Sequence, residues 1–241
     1  PVVAALVALT FQTNYLITTL LFFGVGSVWF SIRTPNRIFR SAFFAILMAS
    51  SATLTLDYIL ISDHAWWSPT IFPVRLLGIL PYEDIIWGFL EAYFVIILYE
   101  HFLDKGKHLF VGKNFRYYVY FILGLLSLFF LTYFLTTGLI QIPYAYFWIG
   151  IIFFILPTIV FMARYPKTIS KFIKLGGYFL LLHIVFEFTA LKLGNWTFPG
   201  LNYIATLKIL GFTVPIEEIV VWWFVFVVTI LSWYEFFDDD Q

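Results

Sequence analysis

Apolar runs of about 20 residues, long enough to cross a bilayer as helices, follow one another along almost the whole chain. Each is closed by a short stretch carrying charge, proline or glycine. Backbone amides in hydrocarbon must bond within the protein, so only a helical bundle or a closed barrel suits such a chain. The ten-residue alternation of barrel strands is not seen. Charged residues make up 12% of the 241 and mean hydropathy is +0.92, whereas soluble domains carry about 25% charge. The expected fold is all-α: a polytopic membrane protein.

Seven spans are expected, at 12–31, 41–61, 79–102, 117–138, 141–163, 172–193 and 213–237. The first ten residues have neither a basic flank nor an evident cleavage site. They read as an outward extension of the first helix rather than a signal peptide. Pro157 is expected to bend the fifth span, because proline removes a helix hydrogen bond.

Eleven of the fourteen Lys and Arg fall in alternate loops. Arg33, Arg37 and Arg40 follow the first span; Lys105, Lys107, Lys113 and Arg116 follow the third; Arg164, Lys167, Lys171 and Lys174 follow the fifth. Arg75, Lys192 and Lys208 fall on the other side. The bias predicts a cell-membrane protein with its N-terminus outside and its C-terminus cytoplasmic. Net charge is zero, which suggests no nucleic-acid partner. The absence of cysteine removes disulfides, thiol catalysis and thiolate metal sites.

One pattern occurs twice. Pro81-Tyr82-Glu83-Asp84 and Pro215-Ile216-Glu217-Glu218 each open an apolar segment with two adjacent carboxylates. Asp57 and Trp67 precede the first; Glu187 and Trp196 precede the second. Tyr99-Glu100 and Tyr234-Glu235 follow at the far ends. Two three-span modules are therefore expected, at 12–102 and 141–237, joined by a linker, 103–140, with one span. The extra crossing restores orientation, which predicts a parallel pseudo-two-fold about the membrane normal.

Proline at a first helical position with acids in the next turn also makes a good helix start with no chemistry. Against that plain reading stand the repetition and the depth. Asp57, Glu83, Asp84, Glu187, Glu217 and Glu218 share one layer of the membrane, where acids are costly. Six carboxylates there cannot all stay ionised cheaply, so at least one is expected to be a neutral acid near pH 7. An acid beside a conjugate base is the equipment of general acid–base catalysis. Glu91 lies two turns below Asp84 on nearly the same face, and His183 lies four residues before Glu187. These two are read as proton-path or substrate-contacting residues. A single His-x-x-x-Glu pair without a second nearby His does not make a metal site. No phosphate loop, dinucleotide fingerprint or aspartate-rich prenyltransferase motif is present, and the last span has no lysine for a retinal Schiff base.

Buried acids, nearby bases and 23% aromatic residues suit carbocation chemistry on an apolar substrate, since aromatic faces stabilise cations. Trp67, Trp87, Trp196 and Trp223 are the candidate substrate-binding tryptophans, with Phe89, Tyr93, Phe94, Trp222, Phe224 and Phe226 as further lining.

The twinned Pro-x-Glu-acid motif, with an acid and a tryptophan upstream, resembles the lycopene cyclase domain family: small membrane carotenoid cyclases found as two three-span subunits or one fused chain. The likeness covers both modules, and the first copy departs from it by ending in Asp84. The resemblance implies closure of the linear ends of lycopene to rings, giving β-carotene through γ-carotene, without net redox change. It implies a carotenoid substrate in the bilayer, other carotenoid-pathway enzymes as candidate partners, and no flavin, other cofactor or metal. Glu217 and Glu83 are expected as the leading acid/base pair, with Glu218 and Asp84 tuning them and Asp57 and Glu187 in support. A carotenoid hydratase, a proton-coupled transporter or channel, and a carotenoid-binding protein are the competing expectations.

Overall fold

The structure, a computed structural model, describes residues 1–104, 114–136 and 140–238, with side chains to residue 236. Lys105, Lys107, His108, Gly112, Lys113, Gly138 and the tail from Asp239 lie outside the described residues. The protein is an all-α polytopic membrane protein; among the described residues are eight helices, seven of them long and apolar enough to cross a bilayer.

A short helix, α1 (Val2–Phe11), comes first. The seven spans are α2 (Tyr15–Arg33), α3 (Pro35–Ser62), α4 (Tyr82–Asp104), α5 (Phe115–Leu135), α6 (Ala145–Arg164), α7 (Pro166–Leu193) and α8 (Glu218–Phe236). The expected outward extension of the first span is instead a separate helix. Gln12 turns left-handed at φ 49° and ends α1, and Asn14 caps the next helix by accepting from Ile17 N at 3.0 Å. The helix α1 then packs on α7.

Two spans begin earlier than expected. Pro35 and Pro166 each open a 3₁₀ turn that runs directly into its helix, where proline loses no hydrogen bond. The last span begins later, because residues ahead of it form a hairpin. Strand β1 (Thr206–Ile209) pairs antiparallel with β2 (Phe212–Pro215). The two turn residues, Leu210 and Gly211, have φ of 51° and 88°, the positive values that a tight hairpin with matching strand twist requires. Pro215 ends that strand and Pro81 caps α4, so each proline stands just before its helix rather than at the expected first helical position.

Helices α4 and α8 form the centre, each 61% buried, whereas α5 is 17% buried and lies at the periphery. Both central helices pack against each other, and α3 packs along α4. Close approach is possible where side chains are small: a Cβ on Gly150 of α6 would stand 2.7 Å from Val221 of α8.

Five spans contain π-helical turns: Leu20–Gly24, Thr53–Asp57, Glu100–Asp104, Gly150–Ile155 and Glu218–Val225. Pro157 follows the fourth, so the bond it cannot donate falls at a break already present in the ladder. A π turn accommodates one extra residue in a helix. That explains the spacing of matched residues. Arg40 and Lys171 are 131 apart, yet Asp57 and Glu187 are 130 apart; α3 carries a π turn between them and α7 carries none. Asp84 and Glu218 are 134 apart, yet Tyr99 and Tyr234 are 135 apart; here α8 carries the π turn and the matching stretch of α4 is plain α-helix.

Candidate functional site

Two long loops close one face of the bundle and hold each other. Trp67 and Thr197 exchange backbone hydrogen bonds at 2.9 and 2.8 Å. Asn202 Nδ2 donates to Asp63 Oδ1 at 2.8 Å, and Tyr203 Oη donates to the Ala65 carbonyl at 2.7 Å. Burial, together with nearby Glu217 and Glu218, pushes the Tyr203 phenol up to about 12, so it remains a donor. Arg75 donates to the carbonyls of Ile79 and Ser68 and straps its own loop.

The first carboxylate of each motif belongs to this cap. Glu83 accepts from Thr70 Oγ1 at 2.8 Å and from Ile71 N at 2.7 Å. Glu217 accepts from Ile204 N at 2.6 Å. The amides lie 12 and 13 positions ahead of their glutamates, so one arrangement is used twice.

The second carboxylate of each motif turns into the bundle and meets a tyrosine that opens another span. Glu218 accepts from the hydroxyl of Tyr146 on α6. Asp84 interacts with Tyr15 on α2. Those tyrosines are 131 apart, the same spacing as Arg33 and Arg164. In each half an acid from the preceding span completes a pair: Glu187 lies within electrostatic reach of Glu218, and Asp57 within reach of Asp84.

The Glu187–Glu218 pair faces a cavity within the bundle. Glu91, His183, Trp87, Trp196 and Trp223 line it too, as do Trp66, Trp222, Tyr146 and Phe226. Trp196 Nε1 donates to Glu187 Oε1 at 2.9 Å, orienting that carboxyl. His183 Nε2 stands 2.6 Å from Glu91 Oε1. Four titratable side chains, all buried, therefore meet in one aromatic chamber. Two carboxyl groups side by side in an apolar chamber are the equipment for passing one proton to and from a bound molecule.

Several sequence-based expectations are placed differently. Glu83 and Glu217, expected as the leading acid/base pair, bind loop amides and do not line the cavity. Trp67 is 47% exposed and lies beside Arg75; its neighbour Trp66 lines the cavity opposite Trp196 in the repeat, 130 positions earlier. Asp57 lines a second cavity, and Asp84 is buried without lining either. Phe224 is exposed, while Phe94 is packed in the core. Tyr15, Tyr146 and Trp66 were not singled out from sequence; the 131- and 130-residue spacings carry the signal for them.

Comparison with protein-family models, curated proteins and solved structures returns no match.

Proposed function

We propose that the protein is a carotenoid cyclase that closes the linear ends of lycopene to ionone rings by acid–base catalysis. The observation that carries this reading is the Glu187–Glu218 pair, two buried carboxyl groups that line one chamber together with five tryptophans. Such a pair is suited to giving and retaking one proton, and tryptophan faces are suited to a cation in between.

The pair's proton adds to C2 of the terminal double bond and leaves a cation at C1. The C5–C6 double bond attacks C1, forming the C1–C6 bond and moving the positive charge to C5. Loss of the C6 proton restores a C5–C6 double bond and gives a β ring. The proton returns to the carboxylate that supplied one, so atoms and charge balance without an oxidant or reductant. Glu218 and Glu187 act as the acid/base pair, Tyr146 and Trp196 hold them in place, and Trp66, Trp87, Trp222 and Trp223 face the cation. His183 and Glu91 border the same space and exchange protons with it. The substrate arrives from the bilayer of the cell membrane, with the loop cap on the outside and both termini placed as the Lys and Arg bias indicates.

A pigment profile tests this. Bacteria that accumulate lycopene express the wild type, Glu218→Gln or Glu187→Gln, with membrane levels of each protein measured. Mono- and bicyclic carotenes from the wild type, absent from both variants, are the expected result. Unchanged lycopene with wild-type protein in the membrane overturns the reading, and hydroxylated acyclic products replace it with a hydratase.

A further inference from the structure

A second cavity adjoins the first and is the roomier of the two. It runs among α3, α4, α5, α6 and α8, and its lining is almost wholly apolar, with Asp57 the one acid. Three rings, Trp87, Trp222 and Phe226, line both cavities and form the partition between them. Trp87 lies parallel to Phe226 at an interplanar angle of 6°, and Trp222 meets Phe226 with centroids 4.7 Å apart. On the far side of that wall the side chains are small, at Ala49, Ala52, Gly88 and Ala92, and leave room along α3 and α4.

We propose that the second cavity is a binding site for the extended hydrocarbon chain of the molecule whose end group reacts in the first. The site rests on the proposed function for the identity of that molecule, but its own chemistry selects a long, flat, conjugated hydrocarbon. The lining offers aromatic faces and methyl groups and very few hydrogen-bonding groups, so a polar ligand would lose its water without replacement. The shared aromatic wall makes the two spaces continuous once Trp87 or Trp222 changes rotamer. An elongated molecule thereby places its end among the acids and its body between α4 and α5. Because α5 is the least buried span, its separation from α3 admits such a chain sideways from the bilayer.

The test measures binding without turnover, using the full chain in lipid nanodiscs. The probes are lycopene and a ten-carbon acyclic isoprenoid hydrocarbon with the same end group, and affinities are read by calorimetry. Two variants fill the second cavity from different helices: Ala52→Phe on α3 and Leu125→Trp on α5. Both residues line that cavity alone. The expected result is that each variant weakens lycopene binding about tenfold, as overpacking a site does, while the short probe binds within about twofold of wild type. Lycopene affinity unchanged in both variants overturns the proposal. So does equal loss for the two probes, which would mark general damage to the bundle. Wild-type protein that binds neither probe overturns the cyclase reading itself, and is thereby distinct from failure of the second site.

Discussion

Tyr99 donates a hydrogen bond to Glu235, and Tyr234 donates one to Glu100, so two identical dipeptides at the ends of α4 and α8 clasp each other crosswise. Arg40 lies over the Tyr234 ring at 5.8 Å and Lys171 lies over the Tyr99 ring at 5.7 Å, and these cations are themselves matched at 131 positions. These two glutamates stand apart from the layer of six carboxylates. Their role is to join the two central helices at the end opposite the loop cap. Side-chain hydrogen bonds between membrane helices average roughly 0.6 kcal/mol. Here the phenol faces a carboxylate with little water, so Tyr99→Phe is expected to cost about 1–2 kcal/mol. Unfolding in mixed micelles, for Tyr99→Phe, Tyr234→Phe and the double variant, measures it; a double variant less costly than the two singles combined marks the clasp as one unit.

The two glutamates of the second motif are expected to respond differently to substitution. Glu217→Gln retains an oxygen for the Ile204 amide and should keep both fold and ring formation. Glu217→Ala leaves that amide unpaired and should cost about 1–3 kcal/mol in stability. Glu218→Gln should leave stability nearly unchanged and abolish product. Denaturation and pigment analysis on the same membrane preparations separate these outcomes.

Trp196→Phe keeps an aromatic wall but removes the donor to Glu187. A carboxyl free to rotate is a poorer proton donor, and the loss of one orienting bond is worth about tenfold in rate. Initial rates of cyclisation in isolated membranes should fall by that factor while lycopene binding is unchanged.

Tyr203 gives the cap a pH dependence. Its folded-state value, about 12, lies above the ordinary value of 10. A raised value means that its contribution to the cap is fully present below pH 10 and is lost as pH rises through about 12. Proteolysis of the 194–215 loop should therefore become faster between those values in the wild type. In Tyr203→Phe the loop should be susceptible already at neutral pH, with no further increase assignable to this group.

Much of the bundle was legible because hydropathy records membrane crossings directly: all seven spans overlap the expected ones. The polar layer was legible for the same reason, since an acid in an apolar run stands out. What hydropathy does not encode is rotation about a helix axis. Glu217 and Glu218 are neighbours in sequence, yet one bonds a loop amide and the other faces the cavity. Trp66 and Trp67 divide in the same way. A single offset of 134 between motif glutamates also hid Tyr15 and Tyr146, which match at 131. The hairpin ahead of α8 was missed because its strand Phe212–Pro215 is apolar enough to read as the start of the last helix.

The π turns explain how that division arises. A π turn takes up its extra residue locally, so matched residues on either side of it keep their places while those standing on the turn face a new direction. In the first half Asp57 stands on a π turn and Asp84 on plain α-helix; in the second half Glu187 stands on α-helix and Glu218 on a π turn. The same kinds of side chain, laid down twice in the same order, therefore end in unlike surroundings: one pair open to the chamber, the other divided between a closed niche and the neighbouring cavity. The substrate we propose has two equivalent ends, whereas the halves of the protein differ, and the difference is a slip of one residue.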